Sequence, residues 1–253
     1  MSVENVNEDA LIGKLLTFSE FDKFYRNEWM PRKTSVVVEW KINPSCSNFA
    51  ASGIITNGNT FIELPHYPET INDAFLVAHE IVHVIRDLEN RILRFPSVNN
   101  TILEKYTVES MGDLASRIGS MFDDPIVDTF LQNQYGFDPA RHYVKVVIPN
   151  TIRSLQSSGD PTDELIRFKQ ALFFSQCALQ WDSIKGARKR AWYELKRMYL
   201  KRRPHVKRIG EDLYSMAKEN GYDALENQKT LFNKIGDKYT LNDIKIKDIL
   251  YIG

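Results

Sequence analysis

Leu76-Val77-Ala78-His79-Glu80-Ile81-Val82-His83-Val84-Ile85 is the stretch on which the reading of this 253-residue chain turns. It holds an HExxH pentapeptide, His79 to His83, between apolar flanks. On an α-helix four residues advance about 400°, roughly 40° past a full turn, with a rise of roughly 6 Å. Both imidazoles then project from one face and can reach a single tetrahedral Zn²⁺ at about 2.0–2.1 Å. Glu80 stands about 100° around the helix from His79. That puts it near a metal but directed away from the ligand pair, where a general base belongs.

The helical setting has its own signals. Thr70 followed by Asp73 forms a variant capping box, with Pro65 and Pro68 just outside the start. Ile71, Phe75, Ala78, Val82 and Ile85 recur at three- and four-residue intervals and define a buried stripe. The histidines fall beside it, on a second face with Leu76. Upstream, Thr34 to Trp40 is β-rich, and Gly53 to Leu64 contains two short apolar runs around Asn57-Gly58-Asn59, a hairpin signal. The first 33 residues read as helical and polar, residues 34 to 66 as strands, and nearly everything from Thr70 to about Asn220 as helix. The expected class is α+β, a small N-terminal sheet followed by a mostly helical body that carries the HExxH helix.

A catalytic zinc needs a third protein ligand and an open position for water. The extended pattern HExxHxxGxxH asks for glycine at position 86 and histidine at position 89, where this chain has Arg86 and Glu89. The other common solution is a glutamate on a later helix, and Glu109 is followed four residues on by Asp113. Glu104 competes with it, as do Asp123 and Asp124 at the end of the same candidate helix, and Asp87 and Glu89 on the zinc helix itself.

HExxH followed by ExxxD resembles the gluzincins, the thermolysin-like zinc metallopeptidases. The similarity covers only residues 76 to 113 or so, and its HExxH part is far the more specific. The resemblance implies a zincin-like fold in which His79, His83 and Glu109 hold Zn²⁺. Glu80 polarises the water, and Asp113 orients His79 through its other ring nitrogen, which fixes the tautomer. It further implies that an edge strand pairs with an extended peptide substrate, for which Thr60 to Leu64 is the candidate. A histidine or tyrosine from a more distant segment would stabilise the oxyanion. His142 and Tyr143, after the turn Gly136 to Pro139, are the candidates, with His66 behind them.

Composition bounds the remainder. With 43% hydrophobic residues the chain can bury a substantial core. Residues 1–150 are expected to form the metallopeptidase core, and residues 151–253 a mainly helical extension of it. Net charge is zero, with 33 basic and 33 acidic residues, which argues against a chain dominated by nucleic-acid binding. Yet Lys185 to Arg208 holds eleven Lys or Arg against one acid, Glu194, interleaved with Trp192, Tyr193 and Tyr199. Ala187, Ala191, Leu195, Met198 and Tyr199 give it an apolar stripe, so it reads as a basic amphipathic helix. Such a helix suits phosphate, an anionic membrane surface or an acidic partner, or simply forms the solvated face of a bundle. Leu165 to Trp181 is apolar on most sides and reads as buried core, too short and polar to span a bilayer.

The acidic N-terminus lacks the positive charge and apolar run of a signal peptide, so a cytoplasmic protein is expected. Cys46 and Cys177 form no CxxC pair and are expected as reduced thiols. This departs from the secreted thermolysin-like enzymes and speaks against broad digestive proteolysis. The reading is a cytoplasmic zinc-dependent metallopeptidase acting on a peptide or protein substrate, with zinc-activated water and Glu80 as base. Two other classes stand beside it: a catalytically silent zincin-like protein-binding module, and a nucleic-acid-associated protein using the helix 185–208. The last fifty residues mix helix-like and strand-like patterns and suggest no function.

Overall fold

A computed structural model describes residues 3–45, 51–54, 60–95, 97–98, 106–186 and 189–251. The Asn57-Gly58-Asn59 turn, Cys46 and Glu104 lie outside them. By compactness the chain divides into two units, residues 1–90 with 127–146, and residues 91–126 with 147–253.

The first unit contains β1 (Glu4–Val6), α1 (Glu8–Ile12), α2 (Ser19–Phe24), β2 (Val38–Ile42), β3 (Ala51–Ile54), β4 (Thr60–Leu64) and α3 (Ile71–Leu88). The strands form one sheet in the order β1-β2-β4-β3. β1 and β3 run antiparallel to their neighbours, whereas β2 and β4 are parallel, with Trp40 opposite Ile62 and Ile42 opposite Leu64. Those four side chains are buried, and period-two alternation sends Lys41 to the other face, where its Nζ lies 5.5 Å from the centre of the Phe61 ring. Because β4 is hydrogen-bonded on both sides, Thr60–Leu64 is an interior strand; the sheet edges are β1 and β3.

The N-terminal segment also departs from expectation. It is helical, but it opens with the edge strand β1 and buries Leu11, Ile12, Leu15, Phe21, Phe24 and Trp29. Polar side chains are recruited inward too. Glu8 Oε1 accepts from the Tyr25 hydroxyl at 2.7 Å, Trp29 Nε1 at 2.9 Å and Lys33 Nζ at 3.3 Å.

Helix α3 begins where its sequence says it should. The Thr70 hydroxyl accepts from the Asp73 amide at 3.2 Å, and Asp73 Oδ2 accepts from the Thr70 amide at 2.8 Å, a reciprocal capping box. Asp73 also takes the Glu69 amide, and His66 Nε2 lies 3.2 Å from its other oxygen. Burial works to raise the Asp73 pKa, but the amides of Glu69 and Thr70, with the Thr70 hydroxyl, outweigh it and hold it below the usual range. Beyond the cap, α3 buries more than the expected stripe: Val77 to Val82 are all inside, together with Val84 and Ile85. The cause is its central place, against β3 and β4 on one side and α2 and later elements of the same unit on others.

The second unit is mainly helical. It comprises most of α4 (Val108–Phe130), α6 (Ile148–Ser157), α7 (Glu164–Ser183), α8 (Lys189–Arg202), α9 (Pro204–Asn220) and α10 (Leu225–Lys238). α4 is one uninterrupted helix whose last turn lies in the first unit, where the short helix α5 (Pro139–His142) follows. α7 is the core expected of Leu165 to Trp181, with Phe168, Leu172, Phe174, Leu179 and Trp181 buried. α9 packs closely on it, since a Cβ at Gly210 would come within 2.6 Å of the Phe174 ring. The basic run is not one helix but two. Pro204 opens α9, and the preceding Arg203 is buried, donating to Gln170 Oε1 at 2.9 Å and to the Gly159 carbonyl at 3.2 Å. The C-terminal residues close with two small antiparallel pairings, one between Thr240–Leu241 and Ile244–Lys245, the other between Ser97–Val98 and Leu250–Tyr251. Among the described residues, Cys177 is buried and in no disulfide, and no helix is long and apolar enough to cross a membrane.

Candidate metal centre

Two turns into α3, His79 and His83 bring their Nε2 atoms to 3.0 Å of each other. Two nitrogens on a tetrahedral zinc at about 2.0–2.1 Å would stand roughly 3.3–3.4 Å apart. The pair is therefore within a few tenths of an ångström of ligating geometry. His79 is 9% exposed, and its Nδ1 lies 3.0 Å from Oδ1 of Asp128, a carboxylate with no exposure at all. With Nδ1–H donated to that carboxylate, the lone pair of His79 is left on Nε2, the tautomer that ligation requires. Asp128 Oδ2 in turn accepts the Tyr143 hydroxyl at 3.1 Å, so one buried carboxylate is fixed from both sides.

Asp128 comes from the last turn of α4. One turn earlier on the same helix is Asp124. Asp124 is itself oriented, since Gln176 Nε2 of α7 donates to its Oδ2 at 2.5 Å. Two histidines and a carboxylate are a donor set that suits zinc, with other transition metals able to compete. Glu80, beside His79, is buried at 7% exposure.

Glu109 is exposed in the first turn of α4, fifteen positions and so about 22 Å along the helix from Asp124. Asp113 pairs with Lys169 at 2.8 Å and Arg117 at 3.3 Å, and those cations hold its pKa down against the opposing effect of burial. His79 meets Asp128. Asp124 and Asp128 repeat the four-residue spacing of Glu109 and Asp113. Asp124 was legible as a competitor; Asp128 and Gln176 were missed. A signal existed for Asp128: Phe122, Ile126 and Val127 surround it in sequence, whereas Glu109 has Ser110 and Gly112 for neighbours.

Of the two oxyanion candidates, Tyr143 is buried at 7% exposure and donates its hydroxyl to Asp128. His142 is 4% exposed, with its ring centre 5.7 Å from that of Phe75 and its Nδ1 without a hydrogen-bond partner. Burial pushes its pKa down to about 4, against the attraction of Asp128. His66 lies at the start of α3, against Asp73. Comparison with protein-family models, curated proteins and solved structures finds no match, so the residues themselves carry the functional argument.

Proposed function

We propose that this chain is a zinc-dependent metallopeptidase with a zincin-like arrangement, in which His79, His83 and Asp124 hold the metal. The observation that carries the reading is the convergence of two Nε2 atoms at 3.0 Å with one imidazole fixed by a fully buried carboxylate. The gluzincin resemblance supports it with altered acids: Asp124 and Asp128 take the parts given to Glu109 and Asp113.

When bound, zinc supplies Lewis acidity that polarises a carbonyl and brings the pKa of a water toward neutrality. Glu80 accepts the proton from the attacking water and returns it to the leaving amine. Asp128 keeps His79 in its ligating tautomer and stabilises positive charge on the ring. Tyr143 holds Asp128, and Gln176 holds Asp124.

Elemental analysis of protein purified without chelator tests the reading, run beside His83→Ala, Asp124→Ala and Glu109→Ala. About one zinc per chain is expected, lost in the first two variants and kept in the third. Cleavage of a mixed-sequence peptide library, read by mass spectrometry, should disappear in Glu80→Gln while zinc is retained. Zinc without cleavage in the native protein would favour the silent binding module. No zinc, even when it is offered, would remove the metallopeptidase reading.

A further inference from the structure

The second unit carries a charged surface that the proposed chemistry does not use. Lys185 to Arg208 holds eleven of the chain's 33 basic residues and one of its 33 acids, so this segment carries a formal +10 (eleven less one) within a chain of zero net charge. On α8, Leu195 and Tyr199 are buried, at 0% and 2% exposure, and fix which side faces inward. The opposite side presents Arg190, Tyr193, Arg197, Leu200 and Lys201, all exposed, at helical intervals of three and four. Tyr193 is 65% and Leu200 60% exposed, so an aromatic ring stands between Arg190 and Arg197.

The cations of this face differ from their neighbours. Lys196 and Lys207 share Glu211, at 3.9 and 2.6 Å, and Arg203 is buried among neutral acceptors. Arg190, Arg197 and Lys201 make no ion pair with an acid among the described residues, and Glu194 is the one acid on the same helix. A row of unpaired cations with an interleaved aromatic ring is complementary to a polyanion that also offers flat bases. A bilayer asks for something else, a continuous apolar face, and the apolar stripe of α8 is occupied within its own unit.

We infer that the outer face of α8, formed by Arg190, Tyr193, Arg197 and Lys201, is a docking surface for the phosphate backbone of a nucleic acid. Arg190, Arg197 and Lys201 contact phosphates, and Tyr193 stacks on a base where the strand is single. Binding is independent of sequence, since no side chain is set to read base edges.

Fluorescence anisotropy of the full chain with labelled mixed-sequence DNA of about 30 nucleotides, single-stranded and duplex, tests this in 50 and 200 mM salt. Three phosphate contacts predict that affinity falls about 20- to 40-fold between the two salt concentrations. Combined Arg190→Gln, Arg197→Gln and Lys201→Gln should abolish saturable binding with the helical circular dichroism unchanged. Arg197→Gln alone guards against a folding defect in the triple variant and should lower the salt slope by about one. Lys229→Gln, on α10, should bind like the native chain. The inference is overturned by absence of saturable binding at 50 mM salt, by full affinity in the triple variant, or by binding to phosphatidylserine vesicles with none to DNA. Each result is read without reference to zinc or cleavage and so stands apart from the peptidase reading.

Discussion

Asp128 is the residue on which the candidate centre depends, because it is buried, hydrogen-bonds both His79 and Tyr143, and contacts a proposed ligand without being proposed as one. Asp128→Ala leaves His79 Nδ1 without its acceptor, and zinc affinity, measured by competition with a chromogenic chelator, should fall about 10- to 100-fold. Tyr143→Phe removes one donor to the same carboxylate and should weaken zinc in the same direction by less. Equal affinity in Asp128→Ala would sink the orienting role. His142 adds a pH dependence of definite sign. Its folded pKa, pushed down to about 4 by burial, lies below the unfolded value near 6.5. Between those values the unfolded chain binds the extra proton, so stability is lost as pH falls from about 6.5 to 4, by ~3 kcal/mol in all. Urea midpoints of metal-free protein at several pH values in that window should fall less steeply in His142→Phe than in the native chain. The same residue scale shows what the sequence could and could not tell. The approach of His79 and His83 was legible because its geometry is local to two turns. The choice among the acids was not, since Glu109–Asp113 and Asp124–Asp128 repeat one spacing on one helix. Only burial separates them.

At the scale of elements, α3 is the best-signalled part of the chain. Its cap is reciprocal, and Thr70→Ala should cost about 1 kcal/mol, a drop of roughly 2–4 °C in Tm. Thr70→Ser restores the hydroxyl and should recover most of it. A loss in Thr70→Ala with no recovery in the serine variant would show that something besides the cap is at stake. The strands were legible singly and their order was not. Local alternation marks Thr60–Leu64 as half-buried, but whether it has one neighbour or two depends on β2, reached only after an intervening strand in the sequence. The basic run illustrates the converse: its apolar periodicity continues past residue 202, yet Pro204 lacks the amide that an interior position would donate. A proline at the first turn of a new helix satisfies both facts, and Arg203 fills the corner.

For the whole molecule, class was legible in the sequence. A β-rich stretch ahead of long helical patterns gives α+β from composition and periodicity alone. The division into units follows three-dimensional compactness, which is free to join residues 127–146 to the first ninety, whereas sequence reading offers contiguous ranges. The segregation of cations to one segment was legible too, beneath a net charge of zero. Metal occupancy supplies a test at this scale, because a ligand that binds the folded chain and not the unfolded one stabilises it by RT ln(1 + [L]/Kd). Free zinc at about 1,000 times Kd contributes ~4 kcal/mol. For a chain of this size that is a rise of roughly 10 °C in Tm. Chelation should reverse it, and His83→Ala should melt at the same temperature with and without zinc. Tryptophan fluorescence reports the transition, from Trp29 and Trp40 in one unit and Trp181 and Trp192 in the other. A native protein whose melting is indifferent to zinc would leave the converging histidines as a packing arrangement and transfer the weight of the functional argument to the basic face of α8.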